Sequence, residues 1–143
     1  MVAEGEISSE EIAAVLPKVA RAIADALARE PEECRLDSRL IIDLGAESID
    51  LLDIVFRLER SFKIKIPRNQ IIKEAQGQLT DEEFERKGVI TDAGRARLQK
   101  YLSEVPPSEY PPVLRVEEVP RLFNVETFCR IVARALREQD KVA

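Results

Sequence analysis

The stretch Asp43-Leu44-Gly45-Ala46-Glu47-Ser48-Ile49-Asp50 constrains this chain more than any other. Gly45 tolerates backbone angles that other residues avoid, so the chain can reverse there at little cost. From Ser48 onward, Ile49, Leu52, Val55, Phe56, Leu58 and Phe62 recur at helical spacing, which predicts a helix from about Ser48 to Arg60. The turn thus delivers one serine to the first position of a helix, among unpaired backbone N–H groups and the positive end of the helix dipole. That environment favours a negatively charged group on the serine oxygen.

The remainder of the 143 residues narrows the function classes. The length suits a single domain with a real core. Apolar residues at 45% and charged residues at 34% fit a soluble globular chain. A net charge of −5 argues against nucleic acid and anionic membrane surfaces and allows basic protein partners. Residues 1–67 carry the excess, with 9 Lys/Arg against 14 Asp/Glu. The chain has no histidine, which excludes a Ser-His-Asp triad, a Cys-His dyad and any His-containing metal site. With no other catalytic constellation, neither an enzyme nor a metal centre is expected. Cys34 and Cys129 each lie in an apolar pattern and read as buried free thiols. The amino terminus, Met-Val-Ala-Glu-Gly-Glu, lacks a signal peptide's basic and apolar regions, and no apolar run is long enough to span a bilayer. A cytoplasmic location is the expectation.

Capping boxes and apolar stripes order the rest. Ser8-x-x-Glu11 opens a helix with the stripe Ile12, Leu16, Val19, Ile23 and Leu27. Pro17 either kinks it or lies in the first turn of a restarted helix, and Pro31 ends it. A loop follows, with Leu36, Leu40 and Cys34 as its inward residues. Along the second helix, Asp50, Asp53 and Arg57 share one face with Glu47 at its top, and Leu52, Val55 and Phe56 lie opposite. Thr80-x-x-Glu83 opens a short helix to about Lys87, closed by Gly88, and Thr91-Asp92 caps another from Ala93 to Leu102. Pro106-Pro107 and Pro111-Pro112 bracket an extended segment, Asn124 caps the last helix, and the polar tail from Glu138 is expected to fray.

Asp-Leu-Gly-Ala-Glu-Ser-Ile-Asp, followed by Leu52, Phe56 and Leu58 and closed by Phe62-Lys-Ile-Lys-Ile66-Pro67, resembles the acyl carrier proteins. Their motif is Asp-Leu-Gly-x-Asp-Ser-Leu; here Glu47 stands for the usual Asp and Ile49 for the usual Leu. The resemblance covers roughly residues 17–67 and resumes near Leu122–Leu136. It implies an all-α fold, an acyl-carrier-like four-helix bundle with an extra, mainly helical insertion. The whole chain would be one such domain, 1–143, with its core at about 9–67 and 122–138 and the insertion at about 68–121. It implies that Ser48 carries 4′-phosphopantetheine, taken from coenzyme A by a phosphopantetheinyl transferase, and that acyl groups ride on the arm as thioesters. Glu47, Asp50, Asp53 and Arg57 would then meet basic docking patches on acyl-transferring, fatty acid synthase or polyketide synthase enzymes. The alternative is a protein that keeps the carrier fold as an unmodified interaction module.

Overall fold

In the computed structural model, which describes residues 7–67 and 70–142, Ser8 and Glu11 exchange hydrogen bonds: the Glu11 N–H donates to Ser8 Oγ (3.1 Å) and the Ser8 N–H to Glu11 Oε1 (3.0 Å). This capping box starts α1 (Ser9–Leu27). There follow α2 (Ser48–Phe62), α3 (Gln70–Gln76), α4 (Asp81–Phe84), the strands β1 (Glu85–Arg86) and β2 (Val89–Ile90), α5 (Asp92–Tyr101) and α6 (Val125–Val142). Single 3₁₀ segments lie at Pro31–Glu33, Pro107–Glu109 and Val116–Leu122. The fold is helical apart from the small antiparallel hairpin of β1 and β2. Among the described residues no helix is long and apolar enough to cross a membrane. The amino terminus read for a signal peptide, residues 1–6, lies outside the described residues, as do residues 68, 69 and 143.

The chain divides into two compact units, one formed up to Ile66 and from Asn124 onward, the other by Pro67–Phe123. In the first, α1 packs against both α2 and α6. Val19, Ile23, Leu40, Ile54, Leu58, Val125, Cys129 and Val132 are fully buried. Each such side chain contributes about 1.5–3 kcal/mol by leaving water. Pro17 lies inside α1, which continues through it, with Val15, Val19 and Ile23 anchoring the turns on either side. The helix ends before Pro31 is reached, at Leu27, with Ala28 in the left-handed conformation (φ 57°). At the far end of the sequence, the Arg137 guanidinium donates to both Glu11 carboxylate oxygens (2.6 and 2.8 Å), tying α6 to α1. That hydrogen bonding holds the Glu11 carboxyl at about 2. α6 stays helical to Val142, past the point where the polar tail was expected to fray.

The second unit departs more from expectation. α3 has no counterpart in the helices anticipated from the sequence. The Thr80 capping box forms, yet α4 stops at Phe84 and gives way to β1. Lys87 (φ 52°) and Gly88 (φ 82°) make the tight turn into β2, a conformation no helix continues through. Thr91 closes the hairpin, donating from its backbone N–H (3.0 Å) and from its hydroxyl (3.0 Å) to the Phe84 carbonyl, and it also caps α5 by accepting from the Gly94 N–H (3.0 Å). From α5, Arg95 donates to the carbonyls of Pro111 and Pro112, and Arg97 Nε to the carbonyl of Ala75 (3.0 Å). The proline-bracketed segment therefore turns against α5, with Tyr110 buried, instead of standing extended.

Candidate functional site

The loop before α2 hangs on the start of α6. The Val125 and Glu126 N–H groups donate to the carbonyls of Ser38 and Leu36 (both 3.0 Å), and Arg39 pairs with Asn124 as an isolated antiparallel bridge. Asn124 and Thr127 brace that junction: the Thr127 N–H donates to Asn124 Oδ1 (3.0 Å) and the Asn124 N–H to Thr127 Oγ1 (3.2 Å). Farther along, the N–H groups of Asp43 and Leu44 donate to the Arg39 carbonyl (2.9 and 3.1 Å) and the Ala46 N–H to the Leu40 carbonyl (2.9 Å). Asp43 Oδ2 accepts in turn from the Arg39 N–H (2.9 Å). Leu40, Leu44 and Ala46 are buried beneath this turn, while Asp43, Gly45, Glu47 and Ser48 face out. Gly45 sits at φ +76°, and a β-carbon there would make only ordinary contact with the Arg29 guanidinium (3.8 Å). Backbone conformation, not space, is what selects glycine.

Ser48 is the first residue of α2, and the cap belongs to its neighbours: the Glu47 N–H donates to Asp50 Oδ2 (2.8 Å). The N–H groups of Asp50 and Leu51 already point to the Glu47 carbonyl (2.9 and 3.3 Å). Those of Ser48 and Ile49 have no acceptor among the described residues, and neither does the Ser48 hydroxyl have a partner there. The result is an exposed primary hydroxyl beside two open backbone donors at a helix's positive end, a fit for a phosphate ester on that oxygen. Among the described residues no general base touches it, and no cluster of His, Cys, Asp or Glu could hold a metal ion. Such a hydroxyl is suited to receive a group from another enzyme.

The four charged residues read from the sequence divide into two pairs. Glu47 and Asp50 form the cap beside Ser48, and one turn on Arg57 Nε donates to both Asp53 oxygens (3.2 Å each). The apolar pattern of α2 resolves differently from the expected stripe. Ile54 and Leu58 are fully buried, whereas Ile49 is 71% exposed and Phe56 43%. α2 carries two apolar lines, Leu51-Ile54-Leu58 and Ile49-Leu52-Phe56, and periodicity alone does not say which one faces the core. Ile42, 42% exposed, is another apolar residue open to solvent in the loop before Ser48.

Residues 17–76 match the family model described as the phosphopantetheine attachment site. The match takes in α1 from Pro17, the Ser48 turn, α2 and α3. The chain is 39% identical over 74 residues to the acyl carrier protein AcpXL of Rhizobium meliloti, covering 51% of this chain and 78% of the relative. It is 33% identical over 75 residues to the acyl carrier protein of Borrelia garinii subsp. bavariensis, covering 52% of this chain and 94% of the relative. With that of Campylobacter curvus it shares 35% over 60 residues, 42% of this chain and 78% of the relative. No solved structure matches the chain. The turn, the helix and the relatives agree: the chain belongs to the acyl carrier proteins, and its cofactor is covalently bound 4′-phosphopantetheine.

Proposed function

We propose that Ser48 is the attachment site and that the protein carries acyl intermediates for fatty acid, polyketide or related lipid synthesis, itself catalysing nothing. The observation that carries this reading is the exposed Ser48 hydroxyl at the first position of α2, with no partner among the described residues and flanked by two N–H donors without an acceptor there. When bound, the arm supplies a thiol on which acyl groups ride as thioesters. The protein's own part is to hold the ester's negative charge at the helix start and to keep the serine clear of bulky neighbours. Tethering then raises the cargo's local concentration at a docked enzyme.

Around that serine, Glu47, Asp50, Asp53 and Arg57 present the charges a partner reads, with Ile49 and Phe56 as the apolar contacts between them. The partners are a phosphopantetheinyl transferase and acyl-transferring enzymes with basic patches, and the setting is the cytoplasm. In domain terms the chain is one carrier domain, core about 9–67 and 122–138, into which about 68–121 is inserted. The compact unit Pro67–Phe123 supports this division, although the family match runs on to residue 76.

Tryptic mapping tests the site. After incubation with coenzyme A and a broad-specificity transferase, the arm is expected on the peptide spanning residues 40–57. An arm on any other peptide, or a transferable acyl group held elsewhere, would remove Ser48 from its role.

A further inference from the structure

The carrier unit is acidic overall, yet one face of it is not. Between α1 and α2 lies an open groove of about 530 Å³ lined by Pro17, Lys18, Arg21, Asp25, Arg57 and Arg60. Four cations thus face one carboxylate. Arg57 is engaged with Asp53, and Lys18 Nζ lies 5.5 Å above the Phe62 ring. Arg21 and Arg60 are exposed and have no ion-pair partner among the described residues.

Along α2 the sign of charge therefore reverses. Glu47, Asp50 and Asp53 occupy the half nearest Ser48, and Arg57 and Arg60 the half that follows, where the one acid, Glu59, is engaged by the Ile66 N–H (2.8 Å). From Ser48 to Arg60 is about 18 Å at the helical rise, a span a docking protein would cover in one footprint. Unpaired guanidinium groups on a groove wall cost nothing in water and gain most when they meet carboxylates shielded from it. A helix acid at one end and basic at the other also accepts its partner in one direction only, because the reversed complex sets like charges together.

We propose that this groove docks an acidic polypeptide segment of the enzyme that works on the Ser48-borne cargo. The inference deepens the carrier reading and rests on it only for the identity of that enzyme. The partner so described has a basic patch for the Ser48 end and carboxylates for the Lys18–Arg21–Arg60 end, and the second of these fixes its orientation.

The test titrates the full chain, ¹⁵N-labelled, with a glutamate-rich helical 20-residue peptide, and in parallel with inorganic phosphate and with phosphatidylglycerol vesicles. Saturable shifts centred on residues 17–25 and 57–61, weakened by salt, are expected with the peptide. Arg21→Glu with Arg60→Glu should weaken binding by about tenfold. Arg35→Glu with Lys65→Glu, the same charge change outside the groove, should alter it less than about twofold. Equal loss in both double variants, shifts spread over the surface, the same shifts with phosphate at equal concentration, or binding to vesicles and not to the peptide would each overturn the proposal. Arm uptake at Ser48 is read separately by mass. Its failure would remove the carrier reading and leave the peptide result standing.

Discussion

In the unit built from α1, α2 and α6, fifteen or more residues per helix bury continuous apolar lines against one another. Among the described residues of the unit Pro67–Phe123, no helix exceeds the ten residues of α5. It too buries a core, with Leu98 and Val119 fully buried and Phe84, Leu102, Val105 and Leu114 nearly so, and its short elements are joined by single groups: Thr91 on the Phe84 carbonyl, Arg97 on that of Ala75, Arg95 on those of Pro111 and Pro112. Both units should therefore respond to lost volume, and the second in addition to lost hydrogen bonds and lost glycines. The unit with the longer helices also presents the serine turn, which needs a rigid base.

Leu58→Ala is expected to have the largest effect, about 2–5 kcal/mol, because it opens a cavity at a fully buried position. Amide exchange should speed up across α1, α2 and α6; a change confined to the last turn of α2 would contradict a shared core. Gly94→Ala comes next, at about 1–3 kcal/mol, because the new β-carbon would lie 2.2 Å from the Phe84 carbonyl oxygen, a backbone atom with little room to yield. Exchange should rise in α5 and in the hairpin, and unaltered protection there would show that the contact relaxes freely. Thr91→Ala removes a cap and should cost about 1 kcal/mol, seen in the same amides.

The smallest effect is expected from Arg137→Gln. Glu11 titrates at about 2 in the folded chain against 4.5 for a free carboxylate, so the ion pair stabilises fully above pH 4.5 and loses its contribution as the pH falls toward 2. Both side chains are about one-third exposed, which screens the pair and keeps its worth small. The variant should melt slightly below the parent at pH 7, and the gap should close near pH 2. A constant gap would mean that Arg137 stabilises by packing alone.

Much of the carrier unit was legible because its signals are local and redundant. The Ser8–Glu11 box, the left-handed Gly45 and the first position of Ser48 all follow from short-range chemistry. The burial of Cys34 and Cys129 as free thiols followed from their apolar surroundings. The inward face of α2 was not legible, since two apolar lines compete and only the placement of α1 and α6 decides for Ile54 and Leu58 over Ile49 and Phe56. In the inserted unit, the Thr80 box promised a longer helix, but successive left-handed residues at Lys87 and Gly88 turned the chain into a hairpin. Nor could any sequence period reveal the basic groove, which needs α1 and α2 side by side to bring Lys18 and Arg21 near Arg60.

On the proposed reading, Ser48 is a hydroxyl offered for modification and not a helix cap. Its most direct test is the intact mass of the parent and of Ser48→Ala after incubation with coenzyme A and a broad-specificity phosphopantetheinyl transferase. Because Glu47 and Asp50 make the cap, the variant should keep its fold within about 0.5 kcal/mol. The parent should gain one phosphopantetheine and the variant none. Equal gain on both would move the arm to another residue, and no gain on either would leave a carrier-shaped interaction module in place of a carrier.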